Sequence, residues 1–480
     1  MRLKALQVEA VPDAERAFEA FYGESADAFW LDSSRAGDGA RFSFMGDASG
    51  PLAATVSYDV EAGEVTVRRG GATEVHCEPI LSYLDHELAR LRAATELPAG
   101  LPFEFECGFA GYLGYEVKAD CGAAAPHRSP HPDAAFVFAD RLIAFDHALG
   151  EAHLLCLVDA GGEAGADAWL EATARRLQEL SPAAGPAEAP PPLPDFDLLG
   201  GEESLLRLAR PSQRYLEEIE ACKRHLAAGE SYELCLTNAV VGEVQVDPLR
   251  LYAELRRVNP APFASYLRFG ELAVLSSSPE RFLRVGRDGV AEAKPIKGTS
   301  RRDADPAEDE RLARRLREDE KSRAENLMIV DLLRNDLGAV CEVGSVEVPA
   351  LMEVESFETV HQLVSTVRGR LRPGTSAAEC VRACFPPGSM TGAPKLRTME
   401  ILDRIEGAAR GVYSGAIGYF GLGGACDLSV TIRTIVLGGS TASIGTGGAI
   451  VMQSVAQNEL QEALLKAEAP VAAVVAAVTK

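Results

Sequence analysis

Basic residues are scarce in this sequence relative to acidic ones. The 480 residues include 48 Lys and Arg against 71 Asp and Glu, for a formal net charge of −23. A surface of this sign repels nucleic acids and anionic membranes, so neither is expected as a main partner. It also repels small anions, and an anionic substrate would therefore need a local cationic pocket or a metal ion.

Zinc-type cysteine motifs and long apolar runs are also lacking. The ten cysteines are scattered without a Cys-x-x-Cys pair, which argues against a zinc site or a disulfide framework and favours reduced thiols in the cytosol. The segment Met1–Glu15 has no long apolar run, so no signal peptide is expected. The apolar stretch Val471–Val478 is too short to span a bilayer.

One segment differs in composition from the rest of the chain. From Ser181 to Pro194 the sequence is almost entirely Pro, Ala, Gly, Ser and Glu, which predicts an exposed connector over residues 181–204. This connector separates an N-terminal part, residues 1–180, from a C-terminal part, residues 205–480. Strand-like and helical runs follow each other in both parts without regular βαβ units, which indicates an α+β fold.

Four elements of the C-terminal part bear on function. Helical periodicity covers residues 305–337, as one helix or two, with Asp305 as a suitable N-cap. A second helix is predicted over Asn458–Ala467. Strands are predicted over Leu428–Leu437 and Ala442–Met452.

Carboxylates occupy notable positions on both helices. Glu325 falls on an apolar helix face, where a carboxylate is costly unless it is paired or bound to metal. Glu459, Glu462 and Lys466 share one stripe of the second helix. Three carboxylates from two helices suit a hard cation such as Mg²⁺. Spacing alone favours the simpler alternative, a structural Glu–Lys pair on a solvated face.

Several groups could bind an anion. Strand alternation places Arg433 on the polar face of Leu428–Leu437, where it could hold a carboxylate through two parallel hydrogen bonds. Gly447 and Gly448 could offer backbone N–H groups, and Ser389 lies in a loop that leads into a helix. Each feature also fits an ordinary surface strand, turn or helix boundary.

Two further residues could take part directly in a reaction. Lys297 lies between Ile296 and Gly298, a setting that could desolvate its amine and make it nucleophilic, and Lys294 could help to lower its pKa. Glu280 could act as a general acid. The alternatives are a solvated loop lysine and a surface carboxylate paired with a neighbouring arginine.

Together, and in this order, these stretches closely resemble the chorismate-utilising family. That family includes anthranilate synthase component I, isochorismate and salicylate synthases, and enzymes that aminate chorismate at C4. The resemblance covers nearly all of residues 205–470 and is weaker in the N-terminal part. The matching stretches are Ser277–Phe282, Pro295–Thr299, Glu325–Leu337, Val360–Ser365, Pro387–Lys395, Gly415–Tyr419, Ile432–Thr434, Gly447–Ile450 and Glu459–Lys466.

The resemblance implies a fold and a reaction. The family fold is a sandwich of antiparallel β-sheets with helices packed outside, to which both parts of the chain would contribute. Lys297 is typical of the branch that makes 4-amino-4-deoxychorismate, whereas anthranilate- and isochorismate-forming members usually have Ala. In that chemistry the lysine attacks C2 of chorismate, and ammonia then adds at C4 and expels the lysine.

The resemblance also assigns roles to individual residues. Glu280 matches the acid that protonates the departing hydroxyl, and Glu325, Glu459 and Glu462 match the Mg²⁺ ligands. The residues that match groups around the substrate are Arg433, Tyr419, Ser389, Thr299, Gly447, Gly448 and Lys466.

Several positions depart from common family patterns, including Val455 and Ala456 in place of an Asp-Pro. Gln362 replaces a His beside the substrate, so no acid–base role is assigned there. Ser322 replaces a fourth carboxylate near the metal in anthranilate synthase. Glu233 occupies the position of a Lys that activates water in salicylate- and isochorismate-forming members, which argues against water as the nucleophile.

Partners follow from the same resemblance. Chorismate and ammonia are the expected substrates, and because no glutaminase motif is found, ammonia is expected from a separate glutaminase subunit. The segment Trp30–Arg35 could bind a regulatory, tryptophan-like ligand, although a packed strand is simpler. The product would feed folate, through p-aminobenzoate, or an antibiotic-like metabolite. The alternatives are anthranilate synthase component I and a non-catalytic chorismate- or tryptophan-binding subunit.

Overall fold

Two large antiparallel sheets organise the chain. The computed structural model describes residues 1–9, 11–33, 41–180, 205–357 and 360–479, so the predicted connector over 181–204 lies outside the described residues. The described strands are β1 (Arg2–Glu9), β2 (Asp27–Asp32), β3 (Phe42–Asp47), β4 (Ala54–Asp59), β5 (Glu64–Arg69), β6 (Ala72–His76), β7 (Gly108–Leu113), β8 (Ala134–Ala139), β9 (Arg141–Asp146), β10 (Glu151–Val158), β11 (Arg207–Leu208), β12 (Glu233–Glu243), β13 (Phe263–Phe269), β14 (Leu272–Ser278), β15 (Arg281–Val285), β16 (Val290–Ala293), β17 (Ile296–Arg301), β18 (Glu347–Ser356), β19 (Val360–Arg370), β20 (Gly392–Ala393), β21 (Ala416–Gly421), β22 (Cys426–Val430), β23 (Thr434–Gly438) and β24 (Thr441–Ile450).

Helices lie between and outside these strands. Two short 3₁₀ helices cover Tyr115–Cys121 and Gly388–Met390. The described α-helices are α1 (Ala14–Tyr22), α2 (Ile80–Ala93), α3 (Glu163–Glu179), α4 (Ser212–Ala227), α5 (Pro248–Val258), α6 (Pro306–Glu318), α7 (Glu320–Gly338), α8 (Ala377–Cys384), α9 (Lys395–Glu406) and α10 (Ala456–Thr479).

Both sheets combine strands from the N-terminal and C-terminal parts. The first has the order β1-β10-β9-β3-β2-β13-β14-β23-β24-β12-β11, with β20 also on β12. The second has the order β17-β19-β16-β15-β22-β21-β7-β8-β4-β5-β6, with β18 also on β19. The two parts join where β2 pairs with β13 and where β7 pairs with β21.

The larger hydrophobic core lies between the two sheets. It brings the ring of Phe44 in the first sheet to 5.8 Å from that of Tyr419 in the second, and the ring of Phe269 in the first to 6.0 Å from that of Tyr112 in the second. Burial of aromatic side chains on facing sheets is the main source of stability in such a sandwich. The predicted α+β sandwich of antiparallel sheets with helices outside is therefore confirmed.

A second core lies on the outer face of the first sheet. There Phe18 of α1, Trp30 of β2 and Leu251 of α5 pack with Val471 and Val474 of α10. Helix α10 is thus much longer than the predicted Asn458–Ala467 helix, because the apolar stretch after Ala467 continues the helix into this core. None of the helices in the described part of the chain combines the length and apolarity of a membrane span.

The α6–α7 region has the helical conformation that the sequence predicts. The helical stretch predicted over residues 305–337 is two helices that break at Asp319, which caps α7 by accepting a hydrogen bond from the backbone N–H of Ser322. Asp305 caps α6 by accepting from the backbone N–H of Ala307. The break turns both helices across the end of β17.

The strand predicted over Leu428–Leu437 is wrong in one respect. The chain leaves the second sheet after Val430 and enters the first sheet at Thr434, so the run forms two strands, β22 and β23. Arg433 lies in this crossover with a φ of 53°. It therefore does not alternate on a strand face, as predicted, and its direction is set by the crossover.

Candidate active site

A cavity of about 640 Å³ lies where the crossover, the end of β24 and the helices α6, α7 and α10 meet. Both sheets contribute to its wall, β17 from the second and β24 from the first. The predicted site residues that line it are Glu280, Lys297, Thr299, Glu325, Ser389, Arg433, Gly447, Gly448, Glu462 and Lys466.

Lys297 reaches the cavity from a bulge in β17. The register of β17 against β19 shifts between Ile296 and Thr299, and Gly298 adopts a φ of 83°. The Lys297 Nζ donates a hydrogen bond to Glu233 Oε1 at 3.0 Å, and the two side chains are 10% and 1% exposed. The amine is therefore buried at the cavity wall and does not point into bulk solvent.

The protonation of Lys297 differs from the prediction. Burial acts to lower its pKa, but the Glu233 and Glu325 carboxylates outweigh burial and raise the pKa above its usual value. Lys294 does not lower it, because its ammonium pairs with Glu355 at 2.8 Å on β18. In the resting site Lys297 is thus an ammonium ion held against a carboxylate.

Glu280 is buried beside this lysine. Burial raises the pKa of its carboxyl to about 7, against the opposing effects of the Lys297 ammonium and a hydrogen bond from Ser389. The neighbouring Arg281 does not pair with it, since its guanidinium forms two hydrogen bonds with Asp427 at 2.9 and 3.0 Å. A carboxyl with a pKa near neutrality can hold a proton and donate it.

Three carboxylates converge beside the cavity, of which two line it and the third, Glu459, is buried behind its wall. Glu325 comes from α7, and Glu459 and Glu462 come from α10. The Lys321 Nζ lies 2.8 Å from Glu459 Oε1, 3.7 Å from Glu325 Oε1 and 3.7 Å from Glu462 Oε2. An ammonium ion therefore stands at the point that all three carboxylates face.

The chemistry of these carboxylates suits a hard cation, but in the structure they surround the Lys321 ammonium. Glu325 Oε1 and Glu459 Oε2 are buried and accept no hydrogen bond from the residues that the structure describes. Such oxygens are costly to bury unless a cation compensates them. Across the described ranges, no three His, Cys, Asp or Glu side chains already form a closed metal-ligand set. A metal ion would thus take the place of the Lys321 ammonium.

Cationic groups lie close to these carboxylates. The Arg433 Nη1 donates to the Lys466 backbone oxygen at 2.7 Å, and burial lowers the pKa of this guanidinium from its usual value. The Lys466 Nζ donates to the Gly447 backbone oxygen at 3.0 Å and pairs with Glu462 at 2.7 Å. A Cβ at Gly447 would collide with the Leu236 backbone oxygen, so only glycine lets β24 pass this close to β12.

This arrangement agrees with a comparison with known protein families. The family described as chorismate binding enzyme matches residues 47–472. The chain belongs to this family.

Similar proteins in the family carry more than one name. The chain is 52% identical to the aminodeoxychorismate synthase of Streptomyces pristinaespiralis, over 98% of this chain and 65% of that protein. It is also 52% identical to that of Streptomyces griseus, over 95% of this chain and 62% of that protein. The chain thus spans less than two thirds of the length of these relatives. It is 34% identical to anthranilate synthase component 1 of Bacillus caldotenax, over 90% of this chain and 85% of that protein.

Solved structures show the family fold. Anthranilate synthase component I from Streptococcus pneumoniae superposes with a TM-score of 0.71 at 30% identity, covering 90% of this chain and 92% of that chain. The menaquinone-specific isochorismate synthase of Escherichia coli has a TM-score of 0.67 at 18% identity, covering 98% and 94%, and shares the fold.

One predicted site residue lies away from this cavity. Tyr419 does not line the 640 Å³ cavity; it is buried in the intersheet core, stacked on Phe105 at 4.5 Å. The tyrosine that lines the cavity is Tyr413, whose ring lies against Gly445 of β24. Tyr413 precedes Ser414, which adopts a left-handed conformation with a φ of 68°.

Other residues at or beside the cavity were missed in the sequence or given no positive role. Lys321 was not singled out, although its spacing of four from Glu325 is a readable signal for a helical pair. Glu233 was considered only as the replacement for a water-activating Lys, whereas in the structure its carboxylate pairs with Lys297. Gln362 and Ser322 both line the cavity.

The N-terminal segment predicted to bind a tryptophan-like ligand borders a different cavity. Trp30 itself is buried and stacks on Phe18 at 5.3 Å, so it belongs to the outer core. Leu31, Asp32 and Ser33 line a cavity of about 380 Å³ that Tyr419 also borders. Residues 34–40, at the end of the segment, lie outside the described part.

Proposed function

We propose that this chain converts chorismate and ammonia to 4-amino-4-deoxychorismate, in a Mg²⁺-dependent reaction that passes through a covalent bond to Lys297. The observation that most supports it is the Lys297 amine, buried at the wall of the cavity that Glu280, Glu325 and Glu462 also line. The names of the two Streptomyces relatives point in the same direction.

The position of the amine explains the choice of carbon. Nucleophilic attack by Lys297 at C2 shifts the ring double bonds and expels the C4 hydroxyl, which Glu280 protonates so that it leaves as water. Ammonia then attacks C4, the double bonds shift back, and the lysine amine leaves C2. Without the lysine, ammonia would enter at C2, as in anthranilate formation.

The cationic groups and the carboxylates together suit the charge of chorismate. Arg433 and Lys466 would bind one carboxylate of the substrate, together with backbone N–H groups at Gly447 and Gly448. Glu325, Glu459 and Glu462 would hold Mg²⁺ in place of the Lys321 ammonium. When bound, Mg²⁺ supplies positive charge that offsets the acidic surroundings toward an anionic ligand.

Partners and location are part of the same proposal. Ammonia would come from a separate glutaminase subunit, and the enzyme would work in the cytoplasm, which suits ten cysteines that are all free. A tryptophan-like regulatory ligand would bind in the 380 Å³ cavity beside Leu31 and Ser33.

The test is to identify the product that the purified chain forms from chorismate, Mg²⁺ and an ammonium salt. We expect 4-amino-4-deoxychorismate by chromatography and mass spectrometry, with no pyruvate released. Isochorismate as the product would contradict the proposal. Activity with glutamine in place of the ammonium salt would contradict a separate glutaminase.

Anthranilate synthase is the second candidate, because relatives with that name share 34–36% identity with the chain. It would release pyruvate, which a coupled assay detects. The buried Lys297 at the cavity wall disfavours it. A non-catalytic binding subunit is disfavoured by Glu280, whose pKa of about 7 suits proton transfer; turnover by the isolated chain would exclude it.

A further inference from the structure

Glu233 is the residue in direct contact with the proposed nucleophile. It lies at the start of β12, where it pairs with Ala393 of β20. Its side chain is 1% exposed, and its Oε1 accepts the hydrogen bond from Lys297 Nζ at 3.0 Å. Its second oxygen, Oε2, is buried and has no hydrogen-bond partner among the residues that the structure describes.

The proposed chemistry needs a proton acceptor next to the Lys297 amine. An ammonium ion has no lone pair, so Lys297 must lose a proton before it can attack carbon. The charged state is favoured in the resting site, since Glu233 and Glu325 raise the pKa of Lys297 in spite of burial. A proton acceptor within hydrogen-bond reach of Nζ is therefore required.

The other titratable groups around Lys297 are less suited to this role. Those that act on its charge are Glu233, Glu325, Cys235, Glu280 and Glu462. Glu280 is the proposed proton donor to the hydroxyl, Glu325 and Glu462 are proposed metal ligands, and burial raises the pKa of Cys235. Glu233 is the one of these for which the structure records a hydrogen bond to Nζ.

We propose that Glu233 is a catalytic base that takes a proton from Lys297 before the attack on C2 and returns it when the lysine is released. This inference rests on the proposed function and adds a residue to its mechanism. The pairing of β12 with β20 and β24 positions the strand that carries this carboxylate.

The protons balance over the cycle. Glu233 accepts a proton from the Lys297 ammonium, the neutral amine forms the C2–N bond, and Glu280 gives its proton to the departing C4 hydroxyl, which leaves as water. Ammonia then forms the C4–N bond while the C2–N bond breaks and lysine leaves as a neutral amine. Glu233 returns its proton to Lys297, and Glu280 regains a proton from the new C4 ammonium group, which leaves a neutral amine.

The test follows the first half-reaction in Glu233→Gln, which keeps the size and the polarity of the side chain but removes the base. With chorismate and Mg²⁺ but no ammonium, the parent chain should gain the mass of chorismate minus water at Lys297. Because a positioned base typically contributes roughly 10²- to 10⁴-fold, we expect the rate of this gain to fall by that factor in Glu233→Gln.

Glu355→Gln is the matched control, because it removes one carboxylate from the neighbouring Lys294–Glu355 pair outside the cavity. Its adduct rate should equal that of the parent. If Glu233→Gln does not fold, Glu233→Asp replaces it: the shorter carboxylate retreats from Nζ, and a slower adduct rate is expected.

The outcomes separate the two proposals. If the parent forms the adduct and the 4-amino product, and the Glu233 variant forms the adduct equally fast, the role of Glu233 is overturned and the proposed function stands. If the parent forms no adduct, or its product carries nitrogen at C2, the proposed function fails and the role of Glu233 fails with it.

Discussion

At the scale of single residues, the balance between burial and neighbouring charge sets the pKa of each site residue. The Glu280 carboxyl has a pKa of about 7 because burial outweighs its cationic neighbours. The buried Lys297 amine has a raised pKa because carboxylates outweigh burial. A site that needs one proton donor and one nucleophile can use both shifts, provided that a base relieves the amine of its proton.

The shift at Glu280 predicts how activity depends on pH. A raised carboxyl pKa means that the acid form, which donates the proton, is present below about pH 7 and is lost as the pH rises through that value. We expect kcat to fall with increasing pH above about 7, and Glu280→Gln to lose this limb together with roughly 10²- to 10⁴-fold of the rate. A pH–rate profile for Glu280→Gln that matches the parent would argue against the assignment.

Lys321 predicts an effect on metal affinity. Its ammonium lies within 3.7 Å of all three proposed metal ligands, so Mg²⁺ must displace it. Lys321→Met removes that competition, and we expect Mg²⁺ to bind the substrate-free protein roughly tenfold more tightly by calorimetry, which corresponds to about 1.4 kcal/mol. Lys294→Met, which alters a pair outside the site, should not change the affinity. Weaker binding in Lys321→Met would contradict this account.

At the scale of elements, the bulge of β17 is where one glycine sets the position of the lysine. Gly298 has a φ of 83°, and a Cβ there would lie 2.6 Å from Ser322 Oγ and 2.9 Å from Leu316 Cδ1. Gly289 has a similar φ of 75°, but a Cβ there would meet nothing within 4 Å. The two glycines differ in their surroundings and not in their backbone demands.

Alanine substitutions at these glycines should therefore differ in outcome. The left-handed conformation alone should cost each variant about 1 kcal/mol of unfolding free energy, measured in urea, because L-residues disfavour it. Gly298→Ala should lose more and should also lower kcat/KM, since the collision displaces the strand that holds Lys297. Equal stability and activity of the two variants would contradict the claim that packing of α6 and α7 on β17 sets the position of Lys297.

Some elements could be predicted from the sequence and others could not. The caps at Asp305 and the helical stripe of Glu459, Glu462 and Lys466 follow from local spacing, which short-range hydrogen bonds and side-chain periodicity determine. The crossover at Arg433 does not, because the residues on both sides of it alternate like one strand while pairing with different sheets. For the same reason Tyr413 and Tyr419 could not be distinguished: long-range packing decides which one faces the cavity.

At the scale of the whole molecule, the proposed catalytic residues lie in the C-terminal part, but the sheets that hold them are built from both parts. Strand β13 pairs with β2, and β21 pairs with β7, so each sheet would be cut at a central position if the N-terminal part were removed. The family resemblance found in the sequence anticipated this shared fold, whereas composition pointed to two separate parts.

Removal of the N-terminal part should thus abolish folding. Residues 205–480 expressed alone would expose two long central strand edges and the apolar intersheet core, which favours aggregation. We expect no cooperative thermal unfolding by circular dichroism for this fragment, and recovery of the transition when residues 1–180 are coexpressed. A soluble, cooperatively unfolding fragment that binds chorismate would contradict this prediction.

The central claim is that attack by the Lys297 amine at C2 causes ammonia to add at C4. The most direct measurement compares where ¹⁵N from labelled ammonium enters the product of the parent chain and of Lys297→Ala, read by NMR. The account predicts label at C4 for the parent and a shift toward C2 in the variant, as in anthranilate-type products. Label at the same carbon in both proteins would contradict it.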